Sequence, residues 1–86
     1  MRRENDYFGA IELDLVYMAR SLRDALRLEK LFTDTGIDYL VETGTYTGGF
    51  LLQRDLTGAF FYVAPQDVEL ARNTLQKNGR KAYQLN

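Results

Sequence analysis

Residues 11–42, IELDLVYMARSLRDALRLEKLFTDTGIDYLVE, change in pattern from strand to helix and back to strand, and this change is the strongest indication of the fold class. Residues 11–18 alternate apolar and acidic side chains and then become continuously apolar, which is typical of a strand in the middle of a sheet. Residues 37–42 carry several β-prone side chains and predict a second strand. A segment with helical spacing separates the two strands.

Residues 22–35 predict this first helix. Ser21 stands before it and three residues ahead of Asp24, which resembles a capping box with a shorter acidic arm. Gly36 follows the segment and suits the left-handed residue that ends many helices. The apolar residues at helical spacing are Leu22, Ala25, Leu26, Leu28, Leu31 and Phe32. We expect Phe32 to lie in the core under the sheet.

The second half of the chain predicts a strand, a helix and a strand. A glycine-rich connection over residues 43–58 reads either as a long loop or as an extra short hairpin. Residues 59–63 predict the third strand. Pro65 suits the start of a second helix, which should end at residues 78–79. Residues 80–85 alternate weakly and predict a fourth strand at an edge of the sheet.

The predicted order is strand, helix, strand, strand, helix, strand. With right-handed crossovers this order favours an α+β ferredoxin-like βαββαβ sandwich, in which a four-stranded antiparallel sheet of order 4-1-3-2 has both helices on one face. We expect residues 1–10 to form a flexible N-terminal arm, with Tyr7 and Phe8 available for docking, and residues 11–86 to form a single domain.

The composition excludes most familiar catalytic sites. The 86 residues have a net charge of −1 and include no cysteine and no histidine. We therefore assign no catalytic residue, no metal ligand and no cofactor, and we expect a non-enzymatic protein. No apolar run approaches the ~20 residues of a membrane span, so we expect a cytoplasmic protein. Glu29 falls among apolar positions of the first helix, and we expect it to reach solvent or Arg80.

Several short motifs resemble those of a known family. They are LVYMA at 15–19, Asp24-Ala25, Leu31-Phe32 before Gly36-Ile37, and FYVAP at 61–65 with Ala71 and Leu75. Over residues 13–78 the chain resembles the small bacterial domains known as prokaryotic signal transducing proteins. That family is similar in fold to the nitrogen-regulatory PII proteins, in which the connection between strands two and three meets partners. The resemblance implies the same role for residues 43–58.

The glycine-rich connection also contains our candidate binding residues. They are Thr45, Tyr46, Thr47, Gly48, Gly49 and Arg54. Backbone N–H groups beside glycines, together with threonine hydroxyls, are able to bind an anion or a partner. The segment lacks the lysine of a phosphate-binding loop, however, and does not lead from a strand directly into a helix. The alternative is a plain turn whose glycines adopt positive φ.

A second candidate surface is the helix-free face of the sheet. Strict strand alternation places Tyr17, Phe60 and Tyr62 on this face, with the neighbouring apolar residues on the other. We favour homodimerisation through it. The first alternative is base stacking, as on the aromatic strands of RNA-recognition modules. The others are exposure to solvent and coverage by the N-terminal arm.

The sequence thus predicts a non-enzymatic regulatory or interaction domain that binds a small ligand or a protein partner, with a role in signal transduction. A module similar to RNA-recognition domains is the first alternative, and a small dimeric ferredoxin-like enzyme is the second. Among partners we expect a second copy of the chain, another protein or a small molecule. The slightly negative net charge argues against nucleic acid, and we expect no membrane association.

Overall fold

The alternating helix and strand patterns form an α+β fold in a computed structural model, which describes residues 1–48 and 54–82. The elements along the chain are α1 (Asn5–Phe8), β1 (Asp14–Ala19), α2 (Leu22–Thr35), β2 (Tyr39–Gly48), β3 (Arg54–Val63), a 3-10 turn (Pro65–Asp67) and α3 (Val68–Lys77). The predicted α+β class is confirmed.

The three strands form one antiparallel sheet in the order β1-β3-β2. This order agrees with the last three places of the expected order 4-1-3-2. The fourth strand was expected at residues 80–85. Residues 80–82 lie in no strand, and residues 83–85 lie outside the described part of the chain.

Local signals set the ends of α2 at the predicted residues. The Ser21 hydroxyl accepts a hydrogen bond from the Asp24 backbone N–H at 3.1 Å, which satisfies one of the unpaired donors of the first turn. At the other end Gly36 adopts a φ of 84°, a conformation that costs glycine little. Within α2 the side chains of Ala25, Leu28 and Phe32 are buried.

The second predicted helix begins as the 3-10 turn at Pro65 and continues as α3. Ala71 and Leu75 of its apolar stripe are fully buried. The helix ends beside Gly79, whose φ is 71°. Both α2 and α3 contribute to one core cluster with the sheet, so they cover the same face.

Three aromatic rings form the centre of this core. The Phe32 ring centroid lies 5.7 Å from that of Tyr39 and 6.2 Å from that of Phe61, in both cases edge-on. Tyr39 and Phe61 are themselves 5.7 Å apart. Phe32 is 0% exposed, which confirms its expected position under the sheet. Leu22 and Leu26, by contrast, are 76% and 55% exposed, so the apolar arc of α2 is narrower than its sequence suggested.

A β-bulge in β1 changes which side chains share a face. Leu15 pairs with Tyr62 and Tyr17 pairs with Phe61, so Val16 is the extra residue. Val16 is buried in the core cluster, and Tyr17 packs against the same cluster. Our placement of Tyr17 on the helix-free face is therefore wrong, because the extra residue breaks the strict alternation on which it rested.

The first ten residues, expected as a flexible arm, make defined contacts with the sheet. Arg2 forms an isolated parallel bridge with Tyr39 at the start of β2. The helical turn α1 follows, and Phe8 is buried with Leu40 and Ala64 in a second small cluster. Phe8, one of the two aromatic residues that we considered for docking, is therefore docked on the sheet and only 7% exposed, whereas Tyr7 is 54% exposed.

Candidate partner-binding hairpin

The glycine-rich connection is largely a β-hairpin. Strands β2 and β3 pair without interruption from Tyr39↔Val63 to Gly48↔Arg54. Strand β1 pairs with β3 only as far as Ala59. The pairs from Gly44↔Gly58 to Gly48↔Arg54 therefore extend past the last strand pair of β1, by about 17 Å at ~3.3 Å per residue. The described part of the connection is therefore neither the long loop nor the separate short hairpin that we expected, because the strands predicted at 37–42 and 59–63 themselves continue through it.

The structure brings most of the predicted binding residues together on this extension. Thr45 pairs with Thr57, Tyr46 with Leu56, Thr47 with Asp55, and Gly48 with Arg54. Gly49, the remaining candidate, lies outside the described residues. The next element described after β2 is the strand β3 and not a helix, unlike the loop-to-helix geometry of a phosphate site.

Gly44 has a packing role that the sequence did not reveal. Its φ is not positive, so the turn explanation fails at this position. A Cβ atom at Gly44 would lie 3.0 Å from Cε2 of Phe60, closer than ordinary contact. The glycine thus allows the Phe60 ring to lie against the β2 backbone.

The helix-free face is divided into two regions. At one end, Leu40 is buried under Phe8, with Leu13 and Tyr62 packed beside them. Coverage by the N-terminal arm, one of our alternatives, therefore applies to this end. Further along, Met18 pairs with Phe60, and both are half-buried. Met18 takes the position on this face that we had predicted for Tyr17.

Tyr17 instead belongs to a polar cluster at the edge of the helix-covered face. Its hydroxyl donates to Asp24 Oδ2 at 2.6 Å and accepts from Arg80 Nη1 at 3.3 Å. Arg80 also forms an ion pair with Asp24. Burial raises the pKa of Tyr17, and the hydrogen bond to Asp24 raises it further. The cluster ties the segment after α3 to β1 and α2.

The position of Tyr17 weakens the RNA-binding alternative. Base stacking in RNA-recognition modules needs aromatic rings on the helix-free face of the central strands. Only Phe60 and Tyr62 of our three candidates lie there, and Tyr62 packs beside the buried Phe8. The expected three-ring platform is therefore not formed.

The N-terminal segment is held by a charged cluster around Asp38. Arg3 Nε donates to Asp38 Oδ1 at 2.9 Å, and the Tyr7 hydroxyl donates to Oδ2 at 3.0 Å. The Arg3 guanidinium also lies 4.3 Å from the centre of the Tyr7 ring. The hydrogen bond from Arg3 lowers the pKa of Asp38 below its ordinary value. No local sequence signal links residues this far apart.

Glu29 pairs with Arg2 and not with Arg80, while its side chain stays partly exposed to solvent. Its Oε1 lies 3.7 Å from Arg2 Nη1 and accepts a hydrogen bond from the Tyr39 hydroxyl at 3.3 Å. Arg80 pairs with Asp24 instead, because the segment after α3 returns toward the N-terminal end of α2. Glu29 thus helps to hold the N-terminal segment against the start of β2.

An apolar groove lies where the hairpin meets the beginning of α2. The residues lining it include Leu22 and Ala25 from the helix and Thr43, Gly58 and Ala59 from the hairpin. Leu22 is the most exposed of the large apolar side chains described. The groove gives the base of the hairpin an apolar surface.

Within residues 1–48 and 54–82, no three carboxylate, histidine or cysteine side chains come together as a metal site. No helix in the same part of the chain is both long and apolar enough to cross a membrane. Comparison of the chain with protein-family models, with curated proteins and with solved structures gave no match in any of the three. The family resemblance remains a prediction from the sequence.

Proposed function

We propose that this chain is a non-enzymatic regulatory or interaction domain that binds a protein partner through the β2–β3 hairpin. The observation that carries the proposal is the extension of this hairpin past the last strand pair of β1. Along residues 44–48 and 54–58, no other strand in the described part of the chain pairs with either edge of the hairpin. A two-stranded ribbon is at best marginally stable in water by itself, and a partner would stabilise it.

The surroundings of the hairpin support this proposal. Its base adjoins the apolar groove that contains the exposed Leu22. On the helix-free face the Phe60 ring lies against Gly44, which gives the base a second apolar surface. A partner that contacts the hairpin would therefore meet backbone hydrogen-bonding groups along the strands and apolar side chains at the base.

The proposal also includes the ferredoxin-like fold that the sequence predicted, in which the chain after α3 returns to the edge of β1 that faces away from β3. Two contacts support it. Arg80 hydrogen-bonds Tyr17 of β1, and Ala82 packs against the main core cluster. The signalling role and the cytoplasmic location belong to the same proposal and rest on the sequence.

Site-specific photo-crosslinking tests the proposed binding element. A photoreactive phenylalanine analogue replaces Thr45 on the hairpin in the full chain, expressed in cells. Thr35 is the matched control, because it is also an exposed threonine but lies at the end of α2. We expect a discrete crosslinked protein from position 45 and none from position 35. No product from position 45, or the same products from both positions, would overturn the proposal.

A shortened hairpin provides a second test of the same idea. Residues 45–57 are replaced by Asn-Gly, so that the pair Gly44↔Gly58 closes a two-residue turn. The domain should remain folded, because the main core cluster lies outside the deleted segment. With a crosslinker at Leu22, beside the groove, the full-length hairpin should give a product that the shortened one does not. An undiminished product would show that the hairpin is not the binding element.

A further inference from the structure

The outer edge of β2, the edge that faces away from β3, has a defined set of backbone groups. At its start the Tyr39 N–H donates to the Met1 carbonyl at 3.1 Å, and the Arg3 N–H donates to the Tyr39 carbonyl at 2.7 Å. Both polar groups of Tyr39 therefore point outward. Since they alternate along a strand, the N–H and C=O groups of Val41, Thr43, Thr45 and Thr47 also point outward.

This edge has little protection against another strand. In the part of the chain that the structure describes, nothing pairs with it beyond Tyr39. Natural edge strands are commonly protected by lysine, by proline or by a bulge. Residues 40–48 contain neither lysine nor proline, and their only charge is Glu42. Their pairing with β3 is also regular, with no bulge.

We propose that the outer edge of β2 pairs antiparallel with the same edge of a second copy of this chain, joining the two sheets across a two-fold axis at Gly44. The inference rests on the proposed function and narrows the partner to the chain itself. In this register Val41 lies opposite Thr47 of the other copy, and Thr43 lies opposite Thr45. The outward groups would form about eight hydrogen bonds between the copies.

The sequence of the strand fits this symmetric register. Thr43 opposite Thr45 is a favourable cross-strand pair. Glu42 lies opposite Tyr46 of the other copy. The two Glu42 residues of the dimer therefore do not face each other, and the repulsion between like charges is avoided. Gly44 meets Gly44 at the axis, where the chains approach to about 4.5 Å between Cα atoms and no side chains collide.

The N-terminal segment sets one end of the pairing. Residues 1–3 already occupy the outer edge at Tyr39, so a partner strand begins at Val41. Extension of the register to Tyr39 would bring the partner strand against Arg3. Pairing over seven residues buries less surface than the ~800 Å² per partner of a standard interface, so we expect a weak dimer that forms at high micromolar concentration.

Sedimentation velocity on the full chain between about 10 and 500 µM tests this dimer with two matched proline variants. Thr45 and Thr57 are exposed and face each other across the hairpin. The N–H of Thr45 points to the outer edge of β2, whereas that of Thr57 points away from β2, so neither proline removes a β2–β3 hydrogen bond. We expect Thr45→Pro to abolish the dimer and Thr57→Pro to retain it.

A disulfide test gives the register without relying on a proline. The chain has no cysteine, so introduced thiols report only on the chosen positions. In the double variant Glu42→Cys/Tyr46→Cys, position 42 of one copy faces position 46 of the other, and mild oxidation should give a covalent dimer. Glu42→Cys alone should give little, because its equivalents do not face each other. Equal crosslinking of both variants would contradict the register.

The outcomes separate this inference from the proposed function. A chain that stays monomeric up to 500 µM, while position 45 crosslinks to a different protein, overturns the second-copy proposal and leaves the binding hairpin intact. A monomer with no crosslinked product overturns both. A dimer that survives Thr45→Pro but is lost on Phe60→Glu places the interface on the helix-free face of the sheet and overturns edge pairing.

Discussion

A matched pair of leucine substitutions tests which side of α2 faces the sheet. Leu28 is 0% exposed in the main core cluster, whereas Leu26, two residues away on the same helix, is 55% exposed. Leu28→Ala should therefore lower the free energy of unfolding by about 3–4 kcal/mol, within the range found for buried leucines. Leu26→Ala should change it by less than about 0.5 kcal/mol, because alanine has high helix propensity and little burial is lost.

The assay is urea unfolding followed by far-UV circular dichroism. With a slope of about 1.5 kcal/mol per molar urea, Leu28→Ala should lower the midpoint by roughly 2–3 M. A domain of this size has a total stability of about 4–13 kcal/mol, so trimethylamine N-oxide is added to both samples if Leu28→Ala is partly unfolded in buffer. Equal losses in the two variants, or a larger loss for Leu26→Ala, would refute the assigned helix face.

Three further predictions concern the core, the N-terminal segment and the hairpin. Phe32→Ala should cost about 3–5 kcal/mol, because the ring is 0% exposed; a loss below about 1 kcal/mol in the same titration would contradict its place in the core. Arg3 lowers the pKa of Asp38 in the folded state, so docking of the N-terminal segment is stabilised above the ordinary pKa of 3.8 and weakens as the pH falls below it. Limited proteolysis at acid pH should cleave residues 1–10 faster, whereas in Asp38→Asn the rate relative to an unfolded control peptide should depend less on pH, because only the contact of Glu29 with Arg2 is left; equal pH dependence in both would be contrary to the prediction. Gly44→Ala brings a Cβ to 3.0 Å from the Phe60 ring and should destabilise the domain by about 1–3 kcal/mol. The same substitution should cost less in a Phe60→Leu background, and equal costs in both backgrounds would show that the ring is not the cause.

The sequence was most informative where structure depends on neighbouring residues. The ends of α2 follow from Ser21 and Gly36, which act within one turn of the helix. Glycines misled us in the connection between β2 and β3. Gly44 indicated a turn but lies inside a strand, where it accommodates the ring of a residue on the neighbouring strand.

Features that depend on distant pairing were not accessible from the sequence. The bulge at Val16 arises from the register between β1 and β3, and it moves Tyr17 to the opposite face from the one that alternation predicts. The contact between Arg3 and Asp38 joins segments 35 residues apart in sequence. For the candidate site, the sequence singled out residues 43–58 as one segment, but it did not show that the described part of this segment is a paired ribbon with an open edge.

Amide hydrogen exchange along β2 distinguishes an open strand edge from a covered one, because outward and inward amides alternate within one strand. In the full chain at about 10 µM, the outward amides at 41, 43, 45 and 47 should exchange much faster than the inward amides at 42, 44 and 46. At about 500 µM the outward amides should exchange about two- to fourfold more slowly, because a weak dimer protects them only for the fraction of time that the chain is dimeric, while the inward amides change little. Outward amides that are already slow in dilute solution, or whose exchange does not slow as the concentration rises, would contradict an edge that is open in the monomer and covered by a second copy.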